Sequence, residues 1–293
     1  MCISLSHAQF DLNSLKSSNH PKIGLVLGGG GAKGAAEIGV LKALEEVGLE
    51  FDYIAGTSIG SIIGALYSCG YRAPQIEELF LSQSWLSLLT GMGYPKSKSD
   101  INHQGKISGI GLSTGDQLVD LFDSLTCQYD TLNFDSMPIP FRCVATDIHN
   151  QEAIVLKSGN LGMALRASMS IPGMFKPVEL DGHTLIDGGM LNNLPVDVVR
   201  EMGAEYVITV DLQQEKHTPR EFSLKETFGI GGILDWLVSR PDWKQYDANV
   251  KASSLYINPN LSGYDIMDFT KNKIEKMIAI GYKAAKEKIG ISK

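Results

Sequence analysis

Two apolar segments near the start of the chain each run into a glycine-containing turn and then into a helical pattern. Residues 22–27 (KIGLVL) are predicted to form a short buried strand, and after a run of glycines residues 32–47 place apolar side chains on one helical face. Residues 51–55 (FDYIA) form the second apolar segment, and the helix after it is predicted to end near Tyr67. Strands joined through helices by such short turns pair in parallel, so the pattern predicts an α/β fold.

Later segments continue this alternation. Further strands are predicted at 141–147, 153–157, 184–187, 206–211 and 254–258. Further helices are predicted near 74–90, 115–125, 161–169, 195–202 and 271–289. No internal repeat or low-complexity linker divides the chain, so we expect a flexible N-terminal extension at 1–20 and a single domain over 21–293. Residues 91–113 and 213–245 look less regular, and they are either lids and binding loops or surface without a catalytic task.

The charge balance and the lack of long apolar runs narrow the function. The formal net charge of −7 over 293 residues argues against nucleic acid as a partner, because phosphates favour basic surfaces. It leaves uncharged or lipid substrates open. No apolar run approaches the roughly 20 residues of a membrane-spanning helix, and residues 1–22 lack the basic start and long apolar centre of a secretory signal. We therefore expect a cytoplasmic protein.

The segment Gly56-Thr57-Ser58-Ile59-Gly60 stands between the second strand and its helix. Gly-x-Ser-x-Gly at such a junction describes a nucleophile elbow. Gly56 and Gly60 lack side chains, so strand and helix can approach each other while Ser58 projects from the turn. The serine also lies at the N-terminal end of the helix, where the dipole and free N–H groups favour negative charge. Ser58 is therefore the candidate nucleophile of an acyl-hydrolase.

The glycine run at residues 28–34 (GGGGAKG) follows the first strand and opens the first helix. Its exposed N–H groups can bind a phosphate or a tetrahedral oxyanion. From Gly29 to Gly34 it also satisfies G-x-G-x-x-G, and Asp52 lies 18 positions further on, so a dinucleotide-binding oxidoreductase is an alternative. However, Asp52 opens its strand, whereas a ribose-binding acid closes one. The P-loop pattern fails, because Lys33 is followed by glycine rather than preceded by it.

A third motif, Asp187-Gly188-Gly189, ends another predicted strand. Carboxylates at strand ends commonly face the ligand crevice of an α/β sheet, although an aspartate that only caps a turn gives the same pattern. A serine nucleophile needs a proton acceptor, which is usually a histidine. None of the six histidines has a strong site context, although His149 and His217 stay open. Because the elbow follows only the second strand, earlier than in an α/β-hydrolase, a Ser–Asp dyad is the better prediction.

The three motifs, in this order and spacing, resemble the patatin-like phospholipase family, and in particular its bacterial branch related to the catalytic domain of neuropathy target esterase. The similarity runs from about Lys22 to Leu212. It is strongest in residues 24–46, 54–70 and 165–204. The resemblance implies a three-layer α/β/α fold with a mainly parallel central sheet.

The resemblance also implies a serine lipid acyl-hydrolase of phospholipase A, lysophospholipase or carboxylesterase type, with no metal and no cofactor. It makes Ser58 the nucleophile and Asp187 the general base. It assigns the oxyanion hole to the backbone N–H groups of Gly29, Gly30 and Gly31. The substrate would be a phospholipid, a lysophospholipid or a fatty-acyl ester, whereas a non-catalytic lipid-binding module would keep these motifs without turnover.

Supporting positions are expected around these residues: Gly28, Lys33, Gly34, Gly56, Gly60, Gly188 and Gly189. Lys33 falls where the family has a basic residue, and it either fixes the loop or attracts a lipid head group. The basic helix at 271–289 offers peripheral membrane contact, or it is a solvated helix packed on the domain. The oligomeric state is not predicted.

An apolar groove for the acyl chain has two candidate walls, although residues at such spacing also form ordinary core. One wall comprises Trp85, Leu86, Leu88 and Leu89. The other comprises Ile230, Ile233, Leu234, Trp236 and Leu237.

Overall fold

The structure is a computed structural model that describes residue 15 and residues 21–90, 106–107, 113–126, 133–214 and 243–290. Its strands are β1 (Ile23–Leu27), β2 (Tyr53–Thr57), β3 (Lys106–Ile107), β4 (Phe141–Asp147), β5 (Glu152–Leu156), β6 (Val178–Leu180), β7 (His183–Asp187), β8 (Tyr206–Val210) and β9 (Leu255–Ile257). Its helices are α1 (Ala35–Glu46), α2 (Ile59–Ser68), α3 (Ala73–Ser82), α4 (Trp85–Thr90), α5 (Asp116–Thr126), α6 (Leu161–Ser168), α7 (Val196–Glu201), α8 (Trp243–Ala252) and α9 (Lys271–Lys288). Short 3-10 turns lie at Gly31–Gly34, Phe134–Ser136 and Gly188–Met190.

The described strands form one sheet in the order β3-β6-β7-β4-β2-β1-β8-β9, and β5 pairs with β4 outside this path. Neighbours from β4 through β2, β1 and β8 to β9 pair in parallel. The strands β7, β6, β3 and β5 pair with their neighbours in antiparallel fashion. The strand-turn-helix units read from the sequence thus build the parallel centre of the sheet, as predicted.

Different helices cover the two faces of this sheet. In β1 the side chains of Ile23, Leu25 and Leu27 pack into a large core cluster with residues of α1–α6 and α9. Val26, which points to the other face, packs into a second cluster with residues of α7 and α8. Side chains alternate between the faces because successive strand residues point in opposite directions. The fold is therefore the three-layer α/β/α arrangement that the resemblance implied.

The C-terminal helix α9 packs closely on α1. Four apolar residues on one side of α9 are buried: Ile274, Met277, Ile278 and Ala285. A Cβ atom on Gly39 would lie 1.9 Å from the carbonyl oxygen of Ile278, and one on Gly281 would lie 1.9 Å from that of Ala36. The missing side chains therefore let the two backbones touch, which confirms that this helix is packed on the domain.

Four elements differ from the sequence prediction. The helix expected over 74–90 is two helices, because Gln83 adopts an extended conformation and the indole N–H of Trp85 donates to the carbonyl oxygen of Phe80. The strand β6 has three residues, too few for a visible pattern. The strand β3 lies inside the stretch 91–113, and α8 begins inside 213–245, both of which look irregular in the sequence. Among the described helices, none is both long enough and apolar enough to cross a bilayer.

Candidate active site

The register of β2 and β7 on β4 brings two predicted site residues together. β2 runs parallel to β4, and its last residue Thr57 lies opposite Val144. β7 runs antiparallel to β4, and its last residue Asp187 lies opposite Ala145. Because β5 pairs with Cys143–Asp147 of β4, β2 and β7 must both occupy the other edge of that strand. The two strands therefore point toward each other, and the residues at their carboxyl ends meet.

Ser58 follows β2 in a backbone conformation that side-chain-bearing residues rarely adopt, with φ 54° and ψ −124°. Its N–H donates to Ser168 Oγ at 2.9 Å, and the Ser168 hydroxyl donates to the carbonyl oxygen of Val144 at 2.6 Å. The flanking glycines let strand and helix come together, since a Cβ on Gly56 would lie 2.4 Å from the carbonyl oxygen of Gly60. This geometry is that of the nucleophile elbow read from the sequence.

Ser58 Oγ donates a hydrogen bond of 2.7 Å to Asp187 Oδ2. The other carboxylate oxygen accepts from the N–H of Gly189 at 2.8 Å. Only 5% of Ser58 and 4% of Asp187 are exposed. Burial raises the pKa of Asp187 to about 6, and the two hydrogen bonds oppose that rise. Gly188 fits tightly behind the pair, because a Cβ there would lie 2.1 Å from a carbonyl oxygen of β4.

The glycine loop lies beside this pair. A Cβ atom on Gly29 would lie 3.1 Å from the Cβ atom of Ser58. Among the described residues, none accepts a hydrogen bond from the N–H groups of Gly29, Gly30 or Gly31. Gly31 has a φ of 57°, in the left-handed region that favours glycine. The loop therefore presents free backbone donors next to the serine.

Residues on either side of these donors anchor the loop. The N–H of Gly28 donates to the carbonyl oxygen of Val210, which prolongs the pairing of β1 with β8. The N–H of Ala32 donates to the carbonyl oxygen of Ile266 at 2.8 Å. Gly34 packs against α2, where a Cβ atom would lie 2.5 Å from a side-chain atom. Gly28 and Gly34 thus hold the loop in place rather than supply donors.

Lys33 is half-buried at the end of the same loop. Its positive charge acts on the segment around Ile266, whose carbonyl oxygen accepts from the N–H of Ala32. There the N–H of Asp265 and the ammonium group of Lys273 hold the pKa of Asp268 below its ordinary value, with a smaller contribution from Lys33. Among the described residues, no carboxylate forms an ion pair with Lys33.

Two residues that support this site, Asn192 and Asn193, were hard to pick out from the sequence. Asn193 is buried, and its side-chain N–H donates to the carbonyl oxygen of Gly29 at 3.2 Å. The hydroxyl of Thr57 donates to the carbonyl oxygen of Asn192 at 2.9 Å. The available signal was a pair of adjacent asparagines directly after the Asp-Gly-Gly turn. Ser168, which holds the N–H of Ser58, had no signal beyond lying in a strongly similar segment.

The two described histidines do not contact the candidate pair. His149 is exposed in the turn after β4. Nδ1 of His183 lies 2.8 Å from Oδ2 of Asp147. This contact lowers the pKa of Asp147 to about 2, with smaller contributions from hydrogen bonds donated by the His149 N–H and the Asn150 side chain. His217 lies outside the described residues.

Asp52 lies at the wrong end of β2 for a ribose-binding acid. Its carboxylate accepts hydrogen bonds from Lys22 Nζ at 2.6 Å and from the N–H of Ile23 at 2.8 Å. It precedes β2, whereas the serine turn follows it. The glycine loop therefore has no acid partner at the position that a dinucleotide site requires.

Within the part of the chain that the structure describes, one small group of side chains has the spacing of metal ligands. Asp147, Glu152 and His183 each bring one ligand atom to within 4.8 Å of the others. The Asp147 carboxylate is already hydrogen-bonded by His183, by the side chain of Asn150 and by the N–H of His149. The group includes neither residue of the Ser–Asp pair.

The predicted acyl groove is only partly described. Trp85 lines an apolar cavity of about 10 Å³ with residues such as Ile62 and Phe122, which is room for roughly one water molecule. Leu88 and Leu89 are buried in the main core, so the alternative of ordinary core is correct for them. The side chain of Leu86 and the second wall, Ile230, Ile233, Leu234, Trp236 and Leu237, lie outside the described residues.

The fold and the site define a class: three-layer α/β proteins whose elbow serine contacts an aspartate. Within that class, the family model described as patatin-like phospholipase matches residues 25–200. A mouse protein named patatin-like phospholipase domain-containing protein 6 is 32% identical over 295 residues, which cover 92% of this chain and 20% of that protein. The chain therefore belongs to the patatin-like phospholipase family.

Two further comparisons extend this result. Lysophospholipase nte1 of Aspergillus fumigatus is 30% identical over 294 residues, which cover 90% of this chain and 18% of that protein. The chain thus spans about a fifth of the length of these curated relatives. The crystal structure of the type III effector protein ExoU aligns with a TM-score of 0.52 and 15% identity, over 92% of this chain and 53% of the effector. At that identity the likeness shows a shared fold.

Proposed function

We propose that this chain is a serine lipid acyl-hydrolase in which Ser58 is the nucleophile and Asp187 is the general base. The observation that carries the proposal is the 2.7 Å hydrogen bond from Ser58 Oγ to the buried carboxylate of Asp187. A hydroxyl becomes an effective nucleophile when a positioned base accepts its proton. The glycine loop supplies free N–H groups for the negative charge that then develops on the substrate oxygen.

Acylation begins when Ser58 Oγ attacks the carbonyl carbon of an ester and Asp187 accepts the serine proton. The oxyanion of the tetrahedral intermediate accepts hydrogen bonds from N–H groups of Gly29, Gly30 and Gly31. Asp187 then passes the proton to the leaving alkoxide oxygen. The C–O bond of the ester breaks, the alcohol part of the lipid departs, and the fatty acid remains as an ester on Ser58.

Deacylation repeats these steps with water as the nucleophile. Asp187 accepts a proton from water as the water oxygen attacks the acyl carbon, and the same N–H groups stabilise the second oxyanion. Collapse of the intermediate returns the proton to Ser58 and releases the fatty acid. A pKa near 6 suits Asp187 to this task, because the carboxylate is more basic than an exposed aspartate yet ionised at neutral pH.

The proposed substrate is a phospholipid, a lysophospholipid or another fatty-acyl ester. The relatives named phospholipase and lysophospholipase support this class, and the positive charge of Lys33 near the loop suits an anionic head group. Peripheral contact with a membrane from the cytoplasmic side is part of the same proposal. The exposed side of α9 carries lysines such as Lys271, Lys276 and Lys283 for such contact.

Hydrolysis by matched variants tests the assignment. Ser58→Ala should abolish turnover of p-nitrophenyl esters of rising chain length and of lysophospholipid, because it removes the nucleophile. Asp187→Asn should lower kcat by about 10²–10⁴-fold, because it removes the base. The Asp187→Asn protein should melt no lower than wild type at pH 8, since the substitution removes a buried charge.

The controls are Ser82→Ala and Asp181→Asn, which change exposed residues of the same types. Asp181 lies in a turn with a φ of 50°, which asparagine also adopts readily. Both controls should hydrolyse esters as wild type does. Near-normal turnover in Ser58→Ala or Asp187→Asn would overturn the proposal. Vesicle binding by a wild-type chain that hydrolyses none of these esters would instead support the lipid-binding alternative.

A further inference from the structure

Asn193 occupies the space between the glycine loop and the aspartate turn. Its side chain is buried, with 5% of the residue exposed. A Cβ on Gly29 would lie 2.4 Å from Asn193 Oδ1, and a Cβ on Gly189 would lie 2.8 Å from the same atom. The amide therefore lies against the backbones of two different motifs, and it fits there because both positions are glycine.

The amide also sets the orientation of one peptide group. Asn193 Nδ2 donates to the carbonyl oxygen of Gly29 at 3.2 Å. In a trans peptide the C=O and the following N–H point in opposite directions, so this bond aims the N–H of Gly30 away from Asn193. A run of glycines has wide conformational freedom, and without this bond the peptide could rotate and turn the donor elsewhere.

The segment that carries Asn193 is itself tied to the strand of the nucleophile. The carbonyl oxygen of Asn192 accepts from the hydroxyl of Thr57, which directly precedes the elbow serine. The Asn192 side chain donates to Asp197 at 2.9 Å and accepts from Asn249 at 3.1 Å. Asn193 therefore links the glycine loop to a segment that is itself bonded to β2.

We propose that Asn193 is a positioning residue that holds the Gly29–Gly30 peptide so that the loop N–H groups face the substrate oxyanion. The proposal rests on the function proposed above, because it assumes that the glycine loop stabilises an oxyanion. Asn193 acts through the loop rather than through substrate. Its loss should raise the energy of the transition state and leave the binding of the ground-state ester nearly unchanged.

The test uses the full chain with Asn193→Asp and Asn193→Ala. Aspartate keeps the size of the side chain but loses the N–H donor, and alanine loses the donor without adding charge. We expect both variants to lower kcat by about tenfold to hundredfold, less than or equal to the effect of losing one oxyanion donor, with KM within about twofold of wild type. Active sites are counted with a fluorophosphonate, so that kcat refers to folded protein.

A second readout separates positioning from general loss of structure. A long-chain alkyl trifluoromethyl ketone forms a tetrahedral adduct with an active serine, and its oxyanion needs the same donors. Its inhibition constant should rise by about the same factor as kcat falls. The matched control is Asn133→Asp, the same substitution at the exposed N-cap of the 3-10 turn Phe134–Ser136, where a carboxylate also accepts from the N–H of Asp135. It should leave both values unchanged.

The outcomes distinguish the two proposals. If wild type hydrolyses esters and both Asn193 variants keep its kcat per active site, the positioning role is wrong and the proposed function stands. A rise in KM at constant kcat, or a loss confined to Asn193→Asp, would likewise overturn the positioning role. If wild type shows no turnover and no fluorophosphonate labelling, the proposed function itself has failed.

Discussion

At the scale of single residues, burial and hydrogen bonding shift the pKa of Asp187 in opposite directions. Burial favours the neutral acid, whereas the hydrogen bonds from Ser58 and from the N–H of Gly189 favour the carboxylate. Burial is the larger effect, so the pKa rises to about 6. Because this value lies above that of an unfolded aspartate, the ionised group lowers the free energy of unfolding as pH rises from about 4 to 6. The chain thus keeps a destabilising charge at the position where the proposed mechanism needs a base.

The same pKa predicts how activity depends on pH. The base must be unprotonated, so kcat/KM for a soluble ester should be half-maximal near pH 6, fall about tenfold per pH unit below it and level off above it. Proton release in a pH-stat between pH 4.5 and 8 measures this, with thermal melting at each pH to show that the protein stays folded. A midpoint at pH 7 or higher would point to a histidine base instead. So would loss of this pH dependence in a His149 or His217 variant.

At the scale of elements, Gly39 of α1 and Gly281 of α9 allow the C-terminal helix to pack closely on α1. Glycine in a helix interior normally costs about 0.5–1 kcal/mol relative to alanine. Here a Cβ on Gly281 or Gly39 would meet a carbonyl oxygen of the opposite helix at 1.9 Å. The close approach places the apolar side of α9 on the same core as α1 and leaves its lysines outside.

This packing reverses the usual effect of a glycine-to-alanine substitution. Gly281→Ala should lower the free energy of unfolding by about 1–3 kcal/mol, because the added methyl group forces the two helices apart. Denaturant unfolding followed by circular dichroism measures the change. The control is Ala279→Gly on the exposed side of the same helix, which should cost about 1 kcal/mol through helix propensity alone. Stabilisation by Gly281→Ala would show that the helices do not pack this closely.

At the scale of the whole molecule, three distant segments build one site. The motifs themselves could be read from the sequence, because a glycine run, an elbow and an aspartate turn are local patterns at strand ends. The strand-turn-helix order also predicted the parallel core. The meeting of Ser58 and Asp187 depends on β2 and β7 sharing one edge of β4, and strand register is not written in local pattern.

The supporting contacts were harder to predict for the same reason. Asn193 bonds to Gly29 across 164 positions of sequence, and Ser168 bonds to Ser58 across 110. Each is a polar residue within an otherwise ordinary segment, and its partner follows only from the fold. Breaks within helices are equally hard to predict. The helix predicted over 74–90 ends early because the indole N–H of Trp85 donates to the carbonyl oxygen five residues before it.

The central claim is that Ser58 is an activated nucleophile, and covalent labelling tests it most directly. A fluorophosphonate with a long alkyl chain should modify wild-type protein at one residue, and mass spectrometry of the digested protein should place the added mass on the peptide containing Ser58. Ser58→Ala should take up no label, and Asp187→Asn should be labelled far more slowly. Labelling at another serine, or equal labelling of wild type and Ser58→Ala, would contradict the account.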